Sequence, residues 1–167
     1  MKFIPTTYNT FLYTGIRWLW LAFVVFAIDF GSKQWVINHV KLGESISIIP
    51  NIQFFYTLNS GAAFSILADK GNFNIWLLTL IAIILCILLL VMMYYANYMA
   101  KIINVSYALI LGGALGNLFD RIKYGAVIDF IDIYVQSWHW PTFNIADLSI
   151  CIGIILIVLE HFYSPAK

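Results

Sequence analysis

Residues 75–95, IWLLTLIAIILCILLLVMMYY, decide the fold of this chain. No charged residue occurs between Lys70 and Lys101, and neither glycine nor proline interrupts the quoted stretch. About 20 consecutive apolar residues are enough for a helix to cross the hydrocarbon core of a bilayer. The stretch therefore predicts a membrane-spanning helix.

Three further uncharged intervals lie between Arg17 and Asp29, between Lys101 and Asp120, and between Asp147 and Glu160. Together with the first they predict four helices, at residues 17–37, 73–97, 102–121 and 145–163. The first apolar stretch has no cleavage site of the A-x-A type, so we expect it to remain as an anchor. We predict an all-α transmembrane four-helix bundle that forms one membrane domain, residues 1–167.

The composition supports a membrane protein and excludes several other classes. Hydrophobic residues make up 62% of the chain and charged residues 10%, whereas soluble domains contain roughly 45–50% apolar residues. The net charge of +1 and the absence of a Lys/Arg run argue against nucleic acid as a partner. Cys86 and Cys151 lie in apolar stretches and are expected to pack as small hydrophobes. The three histidines form no HExxH motif, so neither a metal nor another cofactor is expected.

Two connections leave the bundle on the same side. Residues 38–72 alternate at Ser45–Ile49, turn at Pro50-Asn51 and are then rich in β-branched and aromatic residues, which predicts a small β-rich platform. Residues 122–144 hold a tryptophan, tyrosine and proline cluster typical of a membrane interface. The Lys and Arg residues are divided between the two sides so evenly that they do not decide the orientation.

Asp129 and Asp147 are the candidate catalytic residues. Ionised carboxylates near hydrocarbon are costly, so acids in such positions indicate a functional site. Asp129 precedes Asp147 by 18 positions, which is enough chain to leave the third helix and return to the start of the fourth, where the two carboxyl groups could face each other. Two such acids share a proton, and one can then activate water while the other protonates the substrate, as in aspartic proteases.

Structural roles are the alternative for both acids. Asp129 would then pair only with Arg121 or Lys123, and Asp147 would only bond Asn144, which suits the N-cap of the fourth helix. A proton-coupled transporter or channel component, with the acids as a relay, is the alternative function, and a non-catalytic membrane scaffold is a third.

Other polar residues are expected to support the site or the packing. Asn117 and Asp120 share one face of the third helix with Gly113 and Gly116, where small residues favour close helix packing. Asp29 and Lys33 have the i,i+4 spacing of an ion pair, which we expect at the interfacial end of the first helix. Asp120 and Asp132 are expected to be network or loop charges.

Five motifs in order resemble those of bacterial lipoprotein signal peptidase, signal peptidase II. They are DFGSK at 29–33, NSGAAFS at 59–65, GGALGNLFDR at 112–121, VIDF at 127–130 and FNIAD at 143–147. The resemblance implies an aspartic endopeptidase that removes signal peptides from prolipoproteins by cutting before a diacylglyceryl-modified cysteine. The N-terminal extension, residues 1–15, has no role that the sequence suggests.

The resemblance also implies residue roles and a location. Asp129 and Asp147 match the catalytic acids, and the matching substrate-binding or supporting residues are Asn59, Gly61, Asn117, Arg121, Asn144, Asp29 and Lys33. The expected location is the bacterial inner membrane, with cytoplasmic termini and the active site at the periplasmic side. The expected partners are prolipoprotein and membrane lipid, and the protein is expected to be monomeric. We further expect Phe54, Phe55, Tyr56 and Phe64 to clamp the substrate against the membrane.

Overall fold

The computed structural model describes residues 13–61 and 73–163. Four long helices dominate it: α1 (Leu19–His39), α2 (Phe73–Tyr95), α3 (Lys101–Tyr124) and α4 (Ile145–Tyr163). Each contains a segment long and apolar enough to cross a membrane. The predicted four-helix membrane bundle is confirmed, with ends that differ from the predicted ones by up to three residues.

The helix ends follow local chemistry. At the end of α3, Gly125 adopts a left-handed conformation, φ 69°, and its N–H bonds the carbonyl of Arg121 at 3.1 Å. This termination is typical of glycine, which has no Cβ to clash there. A short 3-10 turn, Gly15–Trp18, precedes α1.

The helix α3 lies at the centre of the bundle and packs against α1, α2 and α4. A Cβ at Gly112 would strike the carbonyl oxygen of Ala22 in α1, and one at Gly113 would strike that of Ala146 in α4. Both glycines therefore allow close approach of the neighbouring helices, as the sequence predicts for Gly113, since larger side chains would hold the backbones apart.

A four-stranded antiparallel sheet caps one end of the bundle, in the order β1 (Ser45–Ile49), β2 (Ile52–Asn59), β3 (Val127–Val135), β4 (Trp138–His139). The prediction of the platform is therefore incomplete. It places strands only in the connection between the first two helices, whereas β3 and β4 come from the connection that follows α3. The predicted turn at Pro50-Asn51 joins β1 to β2, with Ile49 paired to Ile52.

The sheet is fastened to α1 by an apolar cluster of Val36, Val40, Ile128 and Phe130. Phe54 belongs to this contact: its ring lies 5.6 Å from that of Trp35 and 5.7 Å from that of Phe130. These contacts hold the Phe54 ring between α1 and β3, and its role in clamping substrate stays a prediction. Phe64, which belongs to the same prediction, lies outside the described residues. Residues 1–12 lie outside them as well.

Candidate active site

Asp129 lies in the middle of a strand, where its neighbours hold the carboxylate on both sides. It pairs with Thr57 in the register of β2 and β3 and is 2% exposed. The Nδ2 of Asn59, at the end of β2, donates to Oδ2 at 2.9 Å, and the Nδ2 of Asn144 donates to Oδ1 at 2.7 Å. Strand pairing thus brings one amide to Asp129 and the start of α4 brings the other.

Asp147 lies in the first turn of α4 and takes part in its N-terminal cap. Its backbone N–H donates to Oδ1 of Asn144 at 2.9 Å, and its Oδ2 accepts from the backbone N–H of Asn144 at 3.3 Å. These two bonds form a reciprocal capping arrangement. The other carboxylate oxygen, Oδ1, accepts from Nδ2 of Asn117 at 2.7 Å.

The side chains of Asn117 and Asn144 join the two acids. The Nδ2 of Asn144, which bonds Asp129, also lies 3.1 Å from Oδ1 of Asn117, and Asn117 in turn bonds Asp147. Two amides therefore connect the carboxyl groups of Asp129 and Asp147 through consecutive hydrogen bonds.

Each site asparagine has a donor that fixes which way its amide points. The backbone N–H of Gly61 donates to Oδ1 of Asn59 at 2.9 Å, and Lys33 Nζ donates to Oδ1 of Asn117 at 3.1 Å. An amide whose oxygen accepts there must present its NH₂ on the other side. Both NH₂ groups consequently point at a carboxylate. Gly61 can take this position because its φ of 81° suits glycine.

A buried charge cluster lies beneath this layer of amides. Lys33 Nζ is 2.8 Å from Oδ2 of Asp29 and 2.8 Å from Oδ2 of Asp120, and all three side chains are almost fully buried. The other oxygen of Asp29 accepts from the backbone N–H of Ala146 at 2.8 Å, and Asp120 accepts from that of Ile128 at 3.2 Å. The cluster therefore ties α1 and α3 to the strand and helix that carry the two acids.

Burial distinguishes Asp129 from Asp147. The pKa of Asp129 is raised from 3.8 to about 6: burial is the largest cause, the negative charge of Asp147 also raises it, and the hydrogen bond from Asn59 opposes both. Asp147 is only partly buried. Burial therefore favours the protonated form of Asp129.

The comparisons with known proteins agree with this geometry. The family described as "Signal peptidase (SPase) II" matches residues 21–163. The lipoprotein signal peptidase of Serratia proteamaculans (strain 568) is 54% identical over 154 residues, which cover 92% of this chain and 91% of that protein. That of Cronobacter sakazakii (strain ATCC BAA-894) is 55% identical over 156 residues, 93% and 94% of the two chains.

The chain belongs to the signal peptidase II family.

A solved structure supports the same assignment for the fold. A bacterial membrane enzyme determined by the in meso method superposes with a TM-score of 0.79 at 33% identity, covering 89% of this chain and 94% of the other. The predicted family, and with it the prediction of a signal peptidase II enzyme, is confirmed.

The positions predicted from the signal peptidase II motifs converge in the structure. Asp129, Asp147, Asn59, Gly61, Asn117 and Asn144 form the hydrogen-bonded layer described above, and Asp29 and Lys33 lie in the charge cluster beneath it. The positive charge of Arg121 interacts with the negative charges of Asp147, Asp120 and Asp129. Ala62–Ser65 of the second motif lie outside the described residues.

The expectations about signal peptidase II positions fare differently. The predicted Asp29–Lys33 ion pair is present at 2.8 Å, and it is buried inside the bundle, at 0% and 1% exposure, because Asp120 and the start of α4 cover it. The alternative in which Asp129 pairs only with Arg121 or Lys123 is not what the structure contains, since its two carboxylate oxygens accept from Asn59 and Asn144. The alternative for Asp147 is partly right, because its bond to Asn144 is present alongside the bond from Asn117.

Sequence reasoning missed one polar cluster in this signal peptidase II fold. Gln53 donates to Oδ2 of Asp132 at 2.6 Å, and His139 Nδ1 lies 2.8 Å from the same oxygen. Asp132, expected as a network or loop charge, is thus a buried strand residue that joins β2, β3 and β4. The only available signal was its position three residues after Asp129, which places the two acids on opposite faces of a strand.

Proposed function

We propose that the protein removes the signal peptide from diacylglyceryl-modified prolipoproteins by cutting just before the lipidated cysteine, with Asp129 and Asp147 as the catalytic acids. The observation that carries the proposal is the pair of carboxylates joined by Asn117 and Asn144. The name lipoprotein signal peptidase, carried by relatives that are 54% and 55% identical, supports the substrate class.

The proposed mechanism uses one protonated and one ionised acid. Asp147 takes a proton from water, the resulting hydroxide adds to the scissile carbonyl carbon, and Asp129 gives its proton to the carbonyl oxygen. Asp147 then passes its proton to the peptide nitrogen as the C–N bond breaks. Asp129 recovers a proton from the tetrahedral intermediate, which becomes the new carboxyl end.

The asparagines position the acids for these steps and are not themselves consumed. Because Lys33 and Gly61 fix the amides of Asn117 and Asn59, the carboxylates keep one orientation through the cycle. Pre-oriented donors of this kind stabilise charge without reorganising during the reaction.

The proposal includes a location. The sheet and the acids lie at the end of the bundle opposite the short connection between α2 and α3. We assign this end to the periplasmic side of the bacterial inner membrane and both termini to the cytoplasm, in a monomeric enzyme that is a single domain over residues 1–167. The acyl chains of the substrate would remain in lipid while the scissile amide reaches the acids laterally between helices.

Cleavage of a fluorescent diacylglyceryl lipopeptide by the purified full-length protein tests the proposal. Asp129→Asn and Asp147→Asn should each lower kcat at least a hundredfold, because general acid–base groups contribute about 10²–10⁴-fold. The matched control is Asp132→Asn, the same substitution three residues along β3, where the carboxylate bonds Gln53 and His139 instead of the site amides. It should retain cleavage.

Three outcomes would count against the proposal. Normal turnover by either Asn variant would remove that acid from the chemistry. Equal loss of activity in Asp132→Asn would mean that the assay reports the integrity of the sheet and not catalysis. Ion flux in liposomes without cleavage would favour the proton-coupled transporter, for which the family assignment gives no support.

A further inference from the structure

An apolar groove of about 460 Å³ runs between α1, α2 and α3, away from the two acids. Its walls include Phe23 and Phe26 from α1, Leu90 from α2, and Leu115 and Phe119 from α3, and the other lining side chains are also apolar. The volume falls within the range of about 300–1,000 Å³ typical of ligand pockets. Within the bilayer such a groove is accessible to hydrocarbon chains.

A row of α3 residues leads from this groove to a cation. Leu111, Leu115, Phe119 and Lys123 follow one another at intervals of four, so their side chains line one face of the helix. The first three line the groove. The ammonium group of Lys123 lies 5.5 Å from the ring centroid of Phe119 and 4.8 Å from that of Tyr124. Lys123 is exposed and, among residues 13–61 and 73–163, has no carboxylate within ion-pair distance.

The length of this row matches one leaflet. At 1.5 Å per residue, the rise from Leu111 to Lys123 is about 18 Å. Half of a hydrocarbon core of about 30 Å is about 15 Å. An acyl chain lying in the groove would therefore place its headgroup at the level of Lys123.

We propose that this groove binds an anionic phospholipid, with one acyl chain between α1, α2 and α3 and the phosphate paired with Lys123. Charge complementarity selects this occupant. A basic group at the mouth of a groove between transmembrane helices suits an anionic headgroup, whereas a thioether-linked diacylglyceryl group carries no charge for Lys123 to bind. The groove is thus a site for a resident lipid, separate from the position of the scissile bond.

Native mass spectrometry of the full-length protein, titrated with phosphatidylglycerol or phosphatidylcholine, tests the site. The wild type should bind one phosphatidylglycerol about fivefold more tightly than phosphatidylcholine, from the contribution of one lysine near anionic lipid. Lys123→Gln should abolish this preference. The matched control is Lys41→Gln, because Lys41 is an exposed lysine in the connection after α1, at the same end of the bundle, and it should keep the preference.

A second variant addresses the acyl chain. Leu115 is 36% exposed and lines the groove, so a tryptophan there fills the space at a partly exposed position. Leu115→Trp should weaken both lipids together, whereas Lys123→Gln should weaken only phosphatidylglycerol.

Three results would overturn the proposal. One is equal loss of the preference in Lys41→Gln, which would indicate a general surface attraction. Another is an unchanged preference in Lys123→Gln. The last is stoichiometric displacement of bound phosphatidylglycerol by a diacylglyceryl lipopeptide in the Asp129→Asn protein, which would assign the groove to the substrate.

Discussion

Asp129 should make the folded protein less stable as the pH rises, and the size of the effect follows from its burial. Its pKa is 3.8 in an unstructured chain and about 6 in the fold, chiefly because burial disfavours the charged form. Well below pH 3.8 both states hold the proton, so the contribution to stability is complete. It is lost as the pH rises through about 6, and the full difference is about 3 kcal/mol at 1.36 kcal/mol per pKa unit.

Asp129→Asn removes this ionisation and should flatten the pH dependence. For a chain of this size, 3 kcal/mol corresponds to about 6–12 °C in Tm. Thermal unfolding of the detergent-solubilised protein, followed by intrinsic fluorescence from pH 3 to pH 8, gives Tm for wild type and variant. The difference between the two curves isolates Asp129 from every other titrating group. The wild type should lose about 6–12 °C relative to the variant across this range.

Two further variants test the cause. Asp147→Asn removes the weaker of the two influences that raise the pKa of Asp129, so its curve should fall between those of the wild type and Asp129→Asn. Asp132→Asn leaves Asp129 in place, and the decline through pH 6 should persist. If the Asp129→Asn curve runs parallel to that of the wild type, or the wild type gains stability over this interval, burial of Asp129 does not have the assigned effect.

Two other predictions concern buried charge and helix packing. Lys33→Met should lower Tm strongly, because breaking a buried ion pair costs about 3–5 kcal/mol. Adding Asp29→Asn and Asp120→Asn to this variant should recover most of the lost stability, because Asn can still accept the backbone hydrogen bonds. A triple variant less stable than Lys33→Met would contradict this prediction. Gly113→Ala should cost about 1–3 kcal/mol through overpacking against α4. The control is Gly31→Ala in α1, where the added methyl group meets open space, so the stability should be unchanged or rise by up to about 1 kcal/mol. Similar Tm values for the two alanine variants would contradict the packing argument.

The helices could be predicted because their signal is local. Uncharged intervals of about 20 residues are sufficient to identify membrane spans, and Pro50-Asn51 is sufficient to identify the turn between β1 and β2. The i,i+4 spacing of Asp29 and Lys33 also identified a real ion pair. Each of these features depends on residues close together in the sequence.

The strand that carries Asp129 could not be predicted in the same way. Two acids interrupt its apolar pattern, and the predicted connection therefore had no strand. Burial of Asp129 is tolerated because Asn59 and Asn144, 70 and 15 positions away, donate to its carboxylate. The burial of Lys33 likewise depends on Asp120, far along the chain. Such long-range compensation leaves no periodic trace in a single sequence.

The double engagement of Asp147, which bonds Asn117 with one oxygen and caps α4 with the other, affects how an inactive form should be made for trapping complexes. Alanine at this position would remove the charge and also loosen the first turn of α4, since loss of a capping side chain costs about 1 kcal/mol. A complex trapped with that variant would show a frayed α4, which could be mistaken for a conformational change caused by the bound substrate. Asparagine at position 129 lies away from any helix end, so it removes the charge without loosening α4, although one of its two amide partners, Asn59 or Asn144, loses its acceptor.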